Sequence, residues 1–196
     1  MAAESSVLEY FMKTGAYLRG HFRLSSGLHS GSYLQAALVL QYPEYAETLG
    51  RQLAGSLREL IGPEGVALVI SPALGGLTIG HEVARALGVR FLFTERDADR
   101  KMSLRRGFVL KPGERVAVVE DVITTGGSTV EVIDIVRAAG ALPVAAGSIV
   151  DRSGGAADLG IPGTALVTLK VESYPPDQCP MCLAAEPVIK PGSRPA

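Results

Sequence analysis

Residues 116–129 read VAVVEDVITTGGST, and the fold turns on how that stretch is parsed. Its first half is a short apolar run rich in β-branched side chains, and it ends in two adjacent carboxylates, Glu120 and Asp121. A buried strand of a parallel sheet looks like this as it emerges at its carboxyl end. The second half is rich in hydroxyls and glycine, and Val130, Ile133 and Val136 follow it at helical spacing. Glycine lets a backbone turn its N–H groups inward, and the new helix adds its positive end. Thr124, Thr125, Gly126, Gly127 and Ser128 can therefore cradle a phosphate without a lysine. The two carboxylates would repel that phosphate unless they face something else, such as the vicinal hydroxyls of a ribose or a bridging Mg²⁺. A ribose 5-phosphate satisfies both halves. No G-x-G-x-x-G follows a strand and the closing Gly-Lys-Ser/Thr of a P-loop is missing, so neither nucleotide motif explains the stretch.

Working outward, strands are expected at 66–70, 89–94, 116–120 and 144–150, with helices at about 77–87 and 130–139. Such alternation implies right-handed crossovers and a mostly parallel sheet flanked by helices, an α/β fold. Ligands meet such sheets at the carboxyl ends of the strands, where the loops 71–76, 121–128 and 151–155 should converge. Upstream, Ser5 and Ser6 offer an N-cap for a helix with Val7, Leu8, Phe11 and Met12 on its stripe, ending near Gly15. Residues 21–35 read as two short strands around a glycine turn. Pro43 opens a helix carrying Ala46, Leu49, Leu53, Leu57 and Leu60 on one face, and the GPEG at 62–65 stops it. The tail after Val171 is proline-rich and is expected to wrap the surface.

The 196 residues, 47% hydrophobic and 20% charged, suffice for one well-buried domain and not for two ordinary ones. A net charge of −1 provides no general basic field for nucleic acid, so any anion site must be local. No basic leader precedes an apolar core, and no run approaches the ~18 apolar residues of a membrane span, which points to a cytoplasmic protein without a membrane partner. The only cysteines, Cys179 and Cys182, stand at chelate spacing. A zinc site needs four ligands, and a second pair would have to come from a partner subunit, so reduced or partly buried thiols are expected instead. His21, His29 and His81 are too scattered in sequence to suggest a metal site.

The 116–129 stretch resembles the phosphoribosyl-pyrophosphate (PRPP) signature of the type I phosphoribosyltransferases. The resemblance extends over nearly the whole chain and is closest to the orotate phosphoribosyltransferases. In 71–76, SPALGG, the Pro72, Ala73 and Gly76 positions match the P-A-x-x-G of a pyrophosphate loop. Many orotate enzymes carry a lysine where this chain has Gly75, so a contact at Ala73 or Gly75 would be through backbone. Residues 95–107 hold five positive charges in a nearly neutral chain. A solvated charge run is the ordinary reading. In the family, however, a mobile loop at this place closes over pyrophosphate, which implies roles for Arg96, Lys101, Arg105 and Arg106; the loop's usual histidine has no counterpart here.

Arg152 ends the last core strand, where a planar guanidinium suits a carboxylate and the alternative is a surface pair with Asp151. The resemblance implies that Arg152 holds the carboxylate of orotate and that Thr124 also touches the base. The hairpin with Phe22, Ser26, Gly27, Ser32, Tyr33, Leu34 and Gln35 resembles the hood that covers the base, although Ser25 stands where a lysine often precedes the Ser-Gly. The implied layout is a hood at about 1–40, a core at about 43–171 and a tail at 172–196.

PRPP is then expected at Glu120, Asp121, Val122, Ile123, Thr124, Thr125, Gly126, Gly127, Ser128, Ala73, Gly75 and Arg96. Catalysis would rest on Asp121, Glu120, Lys101 and Arg105, and orotate would meet Thr124, Arg152 and Tyr33. The resemblance further implies Mg²⁺, bound mainly through PRPP and near Asp121, and a homodimer sharing the 95–107 loop between subunits. Two other readings stay open: a purine phosphoribosyltransferase, which would have little use for Arg152, and a PRPP-sensing regulator, which should carry an added nucleic-acid-binding segment or a basic face.

Overall fold

The computed structural model describes residues 2–24 and 26–191. The apolar run lies in β6 (Arg115–Ile123), where Val116, Ala117, Val118 and Val119 are all fully buried. A strand achieves this only when both faces of its sheet are covered. On one side β6 runs parallel to β3 (Leu68–Pro72), which pairs in turn with β4 (Arg90–Arg96). On the other it runs parallel to β7 (Leu142–Asp151), which pairs with β8 (Gly163–Thr168). The short β5 (Met102–Leu104) closes one edge antiparallel to β4, giving the order β5-β4-β3-β6-β7-β8. The chain steps outward from β3 in one direction and from β6 in the other, so the strand order reverses between them. Sheets of this kind receive ligands outside the carboxyl ends of the strands at such a reversal.

Side-chain alternation divides the core. Val69, Ala117 and Val119 pack with α1 (Ala2–Lys13), α3 (Pro43–Ile61) and α4 (Gly76–Leu87) through Phe11, Leu53 and Val83. On the other face Ile70, Val116 and Val118 meet α5 (Gly127–Ala138) through Val132, Ile133 and Val136. Gly50 lets α3 and α4 approach closely, since a Cβ there would lie 2.5 Å from the Cβ of Glu82.

Several expectations need correction. α1 begins at Ala2, so Ser5 and Ser6 lie inside the helix rather than at its cap. Met12 and Leu60 are 60% and 40% exposed. The stripe of α1 is carried by Val7 and Phe11, and that of α3 continues from Leu57 to Ile61, one turn on, leaving Leu60 beyond the apolar face. A short helix, α2 (Ala36–Leu40), and the edge strands β5 and β8 were not expected. Among the described residues no helix is long and apolar enough to cross a membrane.

Ahead of the sheet, β1 (Tyr17–Arg23) and β2 (His29–Leu34) form a separate antiparallel pair with a register shift between Arg19 and Phe22. Gly20 sits in that bulge with φ 149°, and His21 and Phe22, neighbours in sequence, are both buried. The tail grips this hairpin on both strands. His29 and Tyr174 exchange backbone hydrogen bonds, each 2.8 Å, the N–H of Ile189 donates to the carbonyl of His21, and that of Arg23 to the carbonyl of Ile189. The grip overturns the view of scattered histidines and of a cysteine pair that would need a second subunit. His21, His29, Cys179 and Cys182 of one chain converge, with one nitrogen or sulfur from each lying within 4.8 Å of the others.

Candidate active site

The topological reversal places the β3–α4 and β6–α5 connections side by side, and glycines let them touch. A Cβ on Gly75 would lie 2.7 Å and 2.8 Å from the two carboxylate oxygens of Asp121, and one on Gly76 would lie 3.4 Å from Oε1 of Glu120. Bare backbone therefore presses against the acids, and any side chain at position 75 would have to displace the Asp121 carboxylate. Ala73 differs from expectation: its N–H donates to the carbonyl of Thr94 at 2.8 Å. An anion at this loop is left with the amides that follow Ala73, among them Gly75.

Glu120 and Asp121 lie within β6 rather than beyond it, because the strand continues through Val122 to Ile123. Burial pushes the Glu120 carboxyl well above the usual range, and the neighbouring Asp121 adds to the shift. Burial also raises Asp121, opposed by its bonds with Glu120 and with the N–H of Val122, which donates to Oδ1 at 2.8 Å. No cation contributes to either shift. Two adjacent carboxyls in a desolvated place, unrelieved by arginine or lysine, suit hydroxyl donors or a cation. Ile123 is buried in the core cluster of α5, so it offers the site backbone alone.

The cradle follows at 124–128. Thr124, Thr125 and Gly127 are exposed, Ser128 is half-buried, and Gly126 is the N-cap of α5 with φ 81° and no side-chain cap bond. Only glycine meets both demands at 126, because a Cβ would also come within 2.8 Å of Cδ2 of Leu159. The N–H of Val130 donates to the carbonyl of Gly126 at 2.9 Å. The amides of Gly127, Ser128 and Thr129 precede that bond in the first turn, where helical N–H groups have no helical acceptor. They form a ready anion site.

Arg152 follows β7, and its own N–H donates to the carbonyl of Ile123 at 2.8 Å, which fixes it beside Thr124. The expected alternative, a pair with Asp151, does not form: that carboxylate accepts the N–H groups of Ser153 and Gly155 at 2.7 and 3.0 Å. Nε of Arg152 is buried without a hydrogen-bond partner, and burial lowers the guanidinium pKa. Tyr33, from the hairpin, stands 5.9 Å from the guanidinium carbon, measured to its ring centroid. The structure thus brings together the three residues expected around the base. Ser25 lies outside the described residues.

The basic segment, expected as a loop, forms a β-hairpin of β4 and β5. Two of its cations are engaged: Arg96 pairs with Glu131 of α5 at 3.0 Å, and Arg106 makes two bonds to Glu95, at 2.5 and 2.7 Å. Lys101 and Arg105 are exposed.

Residues 41–161 match the phosphoribosyl transferase domain family. The orotate phosphoribosyltransferase of Desulforamulus reducens is 54% identical over 188 residues, 96% of each chain. That of Pelotomaculum thermopropionicum is 55% identical over 188 residues, with the same coverage. Among solved structures, the orotate phosphoribosyltransferase of Aeropyrum pernix superposes with a TM-score of 0.67 at 29% identity, over 87% of this chain and 94% of that one.

Proposed function

The chain belongs to the phosphoribosyl transferase family, and on that premise we infer that it transfers the 5-phosphoribosyl group of PRPP to orotate, giving orotidine 5′-phosphate and pyrophosphate in pyrimidine biosynthesis. The observation that carries the choice of base is Arg152, a desolvated guanidinium with an unpartnered Nε beneath Tyr33. Orotate has a carboxylate to offer such a group, whereas adenine, hypoxanthine and uracil have none.

In this reaction the bond from the anomeric carbon to pyrophosphate breaks, a ring nitrogen of orotate bonds to that carbon, and positive charge builds on the ribose between the two events. The amides opening α5 hold the 5-phosphate and fix the sugar. Glu120 and Asp121 accept the ribose hydroxyls and lay negative charge beside the developing cation, where burial strengthens the effect. The amides that follow Ala73, among them Gly75, receive the pyrophosphate. Of the basic hairpin's five cations, Arg96 and Arg106 already have carboxylate partners; Lys101 and Arg105, exposed like Arg100, move onto the leaving group.

Mg²⁺ fits this site: two adjacent carboxyls, Glu120 buried and Asp121 half-buried, with no cation to relieve them, form a donor set for a hard divalent ion. Asp121 would hold it together with PRPP, and when bound it supplies neutralisation of the pyrophosphate charge. A homodimer sharing the 95–107 hairpin and a cytoplasmic location complete the proposal.

The direct test is PRPP-dependent consumption of orotate beside uracil, adenine and hypoxanthine; turnover of a purine in preference to orotate would overturn the assignment. Sharing between subunits is tested by mixing Asp121→Asn with Lys101→Ala/Arg105→Ala. Activity should return through one restored site per mixed dimer, and no recovery despite demonstrated exchange would place the hairpin over its own subunit.

A further inference from the structure

We propose that His21, His29, Cys179 and Cys182 form a structural zinc site that rivets the C-terminal tail to the N-terminal hairpin. It lies outside the PRPP and orotate machinery. Cys179 Sγ lies 3.5 Å from Nε2 of His21, while Cys182 Sγ lies 3.6 Å from the same atom and 3.2 Å from Nδ1 of His29. Bond lengths of ~2.05 Å to nitrogen and ~2.3 Å to sulfur in a tetrahedron require S···N edges of about 3.5 Å. The observed edges bracket that value. The two ring nitrogens are 2.7 Å apart, a hydrogen-bond separation, and would open by roughly 0.6 Å to the edge of about 3.3 Å that the same tetrahedron requires.

The surroundings prepare the ligands. Nδ1 of His21 lies 2.9 Å from the carbonyl of Glu186, which can only accept, so Nδ1 carries the proton and Nε2 presents its lone pair. Both cysteines are free thiols. On binding, each thiol gives its proton to solvent and its sulfur donates an electron pair, while neutral His29 exchanges through solvent the Nδ1 proton that bridges to His21 for one on Nε2, which frees Nδ1 to ligate. Two thiolates and two neutral imidazoles around Zn²⁺ sum to zero charge, as a site with His21, His29 and Cys179 all buried requires. Two nitrogen and two thiolate ligands at tetrahedral spacing select zinc over the hard ions magnesium and calcium.

The connectivity gives the site its purpose. One ligand comes from each strand of the hairpin and two from the tail; His29 also exchanges backbone hydrogen bonds with Tyr174, and the carbonyl of His21 accepts from the N–H of Ile189. Rings and backbone bind the same two segments.

The test is elemental analysis of full-length protein purified without chelator, with His81→Ala as a control outside the cluster and Cys182→Ser and His29→Ala inside it. Wild type and His81→Ala should carry about one zinc per chain, and the two cluster variants should carry little. Should those variants fail to fold, wild type decides alone. Replacing zinc with Co²⁺ should give thiolate-to-cobalt charge transfer and tetrahedral visible bands, and chelation should make both thiols reactive and the tail sensitive to protease. Zinc retained in both cluster variants would overturn the proposal. So would wild type that holds no stoichiometric metal and gives no thiolate band with Co²⁺, or fresh protein in which the cysteines form a disulfide.

Discussion

Arg152→Ala should move stability and orotate recognition independently. In the folded protein the guanidinium is desolvated, its Nε lacks a partner, and the neighbouring Asp151 carboxylate is committed to backbone N–H groups. Removing it relieves that desolvation and leaves the bond from the N–H of residue 152 to the carbonyl of Ile123, which any residue except proline can make. The contact with the Tyr33 ring is lost, at a cost of about 0.5–1 kcal/mol. These contributions oppose each other, so the net change should stay within about 1 kcal/mol, a shift in Tm of no more than ~4 °C for a chain of this size. Orotate loses a charge-assisted contact worth about 1.5–3 kcal/mol, and a two-pronged fork puts the loss near the upper end. At about 3 kcal/mol, kcat/KM for orotate falls on the order of 10²-fold, mostly through KM. Uracil lacks the carboxylate, so its turnover should barely change and the preference for orotate should shrink by the same factor. Steady-state kinetics with both bases and a thermal melt decide the matter. A Tm loss of roughly 10 °C or more, well beyond the ~4 °C expected, with an unchanged orotate KM would make Arg152 a structural residue; a loss of PRPP binding would move the base pocket elsewhere.

Gly126→Ala should cost about 2 kcal/mol, from the left-handed backbone and the crowding of Leu159, and should raise the KM for PRPP. A thermal melt and PRPP titration check both, and unchanged values would mean that the cradle tolerates a Cβ. Asp121→Asn should keep the fold and lower kcat by about 10²-fold or more, since it removes a preorganised charge beside a developing cation; near-normal turnover in a folded variant would end that role. The folded pKa of Glu120 is raised above its unfolded value of about 4.3, so its contribution to stability is fully present below that pH and is lost as pH rises through the folded pKa. In ligand-free and metal-free protein, the Tm of wild type relative to Glu120→Gln should therefore fall as pH rises, and a flat or rising difference would contradict the burial argument.

The strand, turn and helix of the proposed PRPP half were legible because their signal is contiguous. Acids, hydroxyls, glycines and a helical stripe fall within a few turns of chain in 116–136, so local geometry nearly determines their arrangement. The edges of the sheet were not legible. β5 has three residues inside a charge run, and β8 opens with glycine and has only one fully buried residue. Neither carries the buried apolar run that marks a central strand, since an edge strand is stabilised by its neighbour's hydrogen bonds more than by its own side chains. The commitment of the Ala73 amide to Thr94 was hidden for a related reason: a loop motif names its residues but not which of their donors the sheet consumes.

The four-residue cluster was illegible because its members come from opposite ends of the chain, Cys182 standing 153 residues from His29. Local spacing put no second ligand pair beside the cysteines; the tail's return to the hairpin supplies one. That return bears on the base pocket. A two-stranded hairpin alone is at best marginally stable in water, yet this one carries Tyr33 over Arg152. Its support is the tail: the Ser30 hydroxyl donates to the carbonyl of Glu172 at 2.9 Å, His29 pairs with Tyr174, and Ile189 bonds to both His21 and Arg23. A segment that reads as a proline-rich surface wrap therefore holds the roof of the proposed orotate site, and loosening it should act on orotate affinity before it acts on PRPP, whose proposed cradle is built on the sheet.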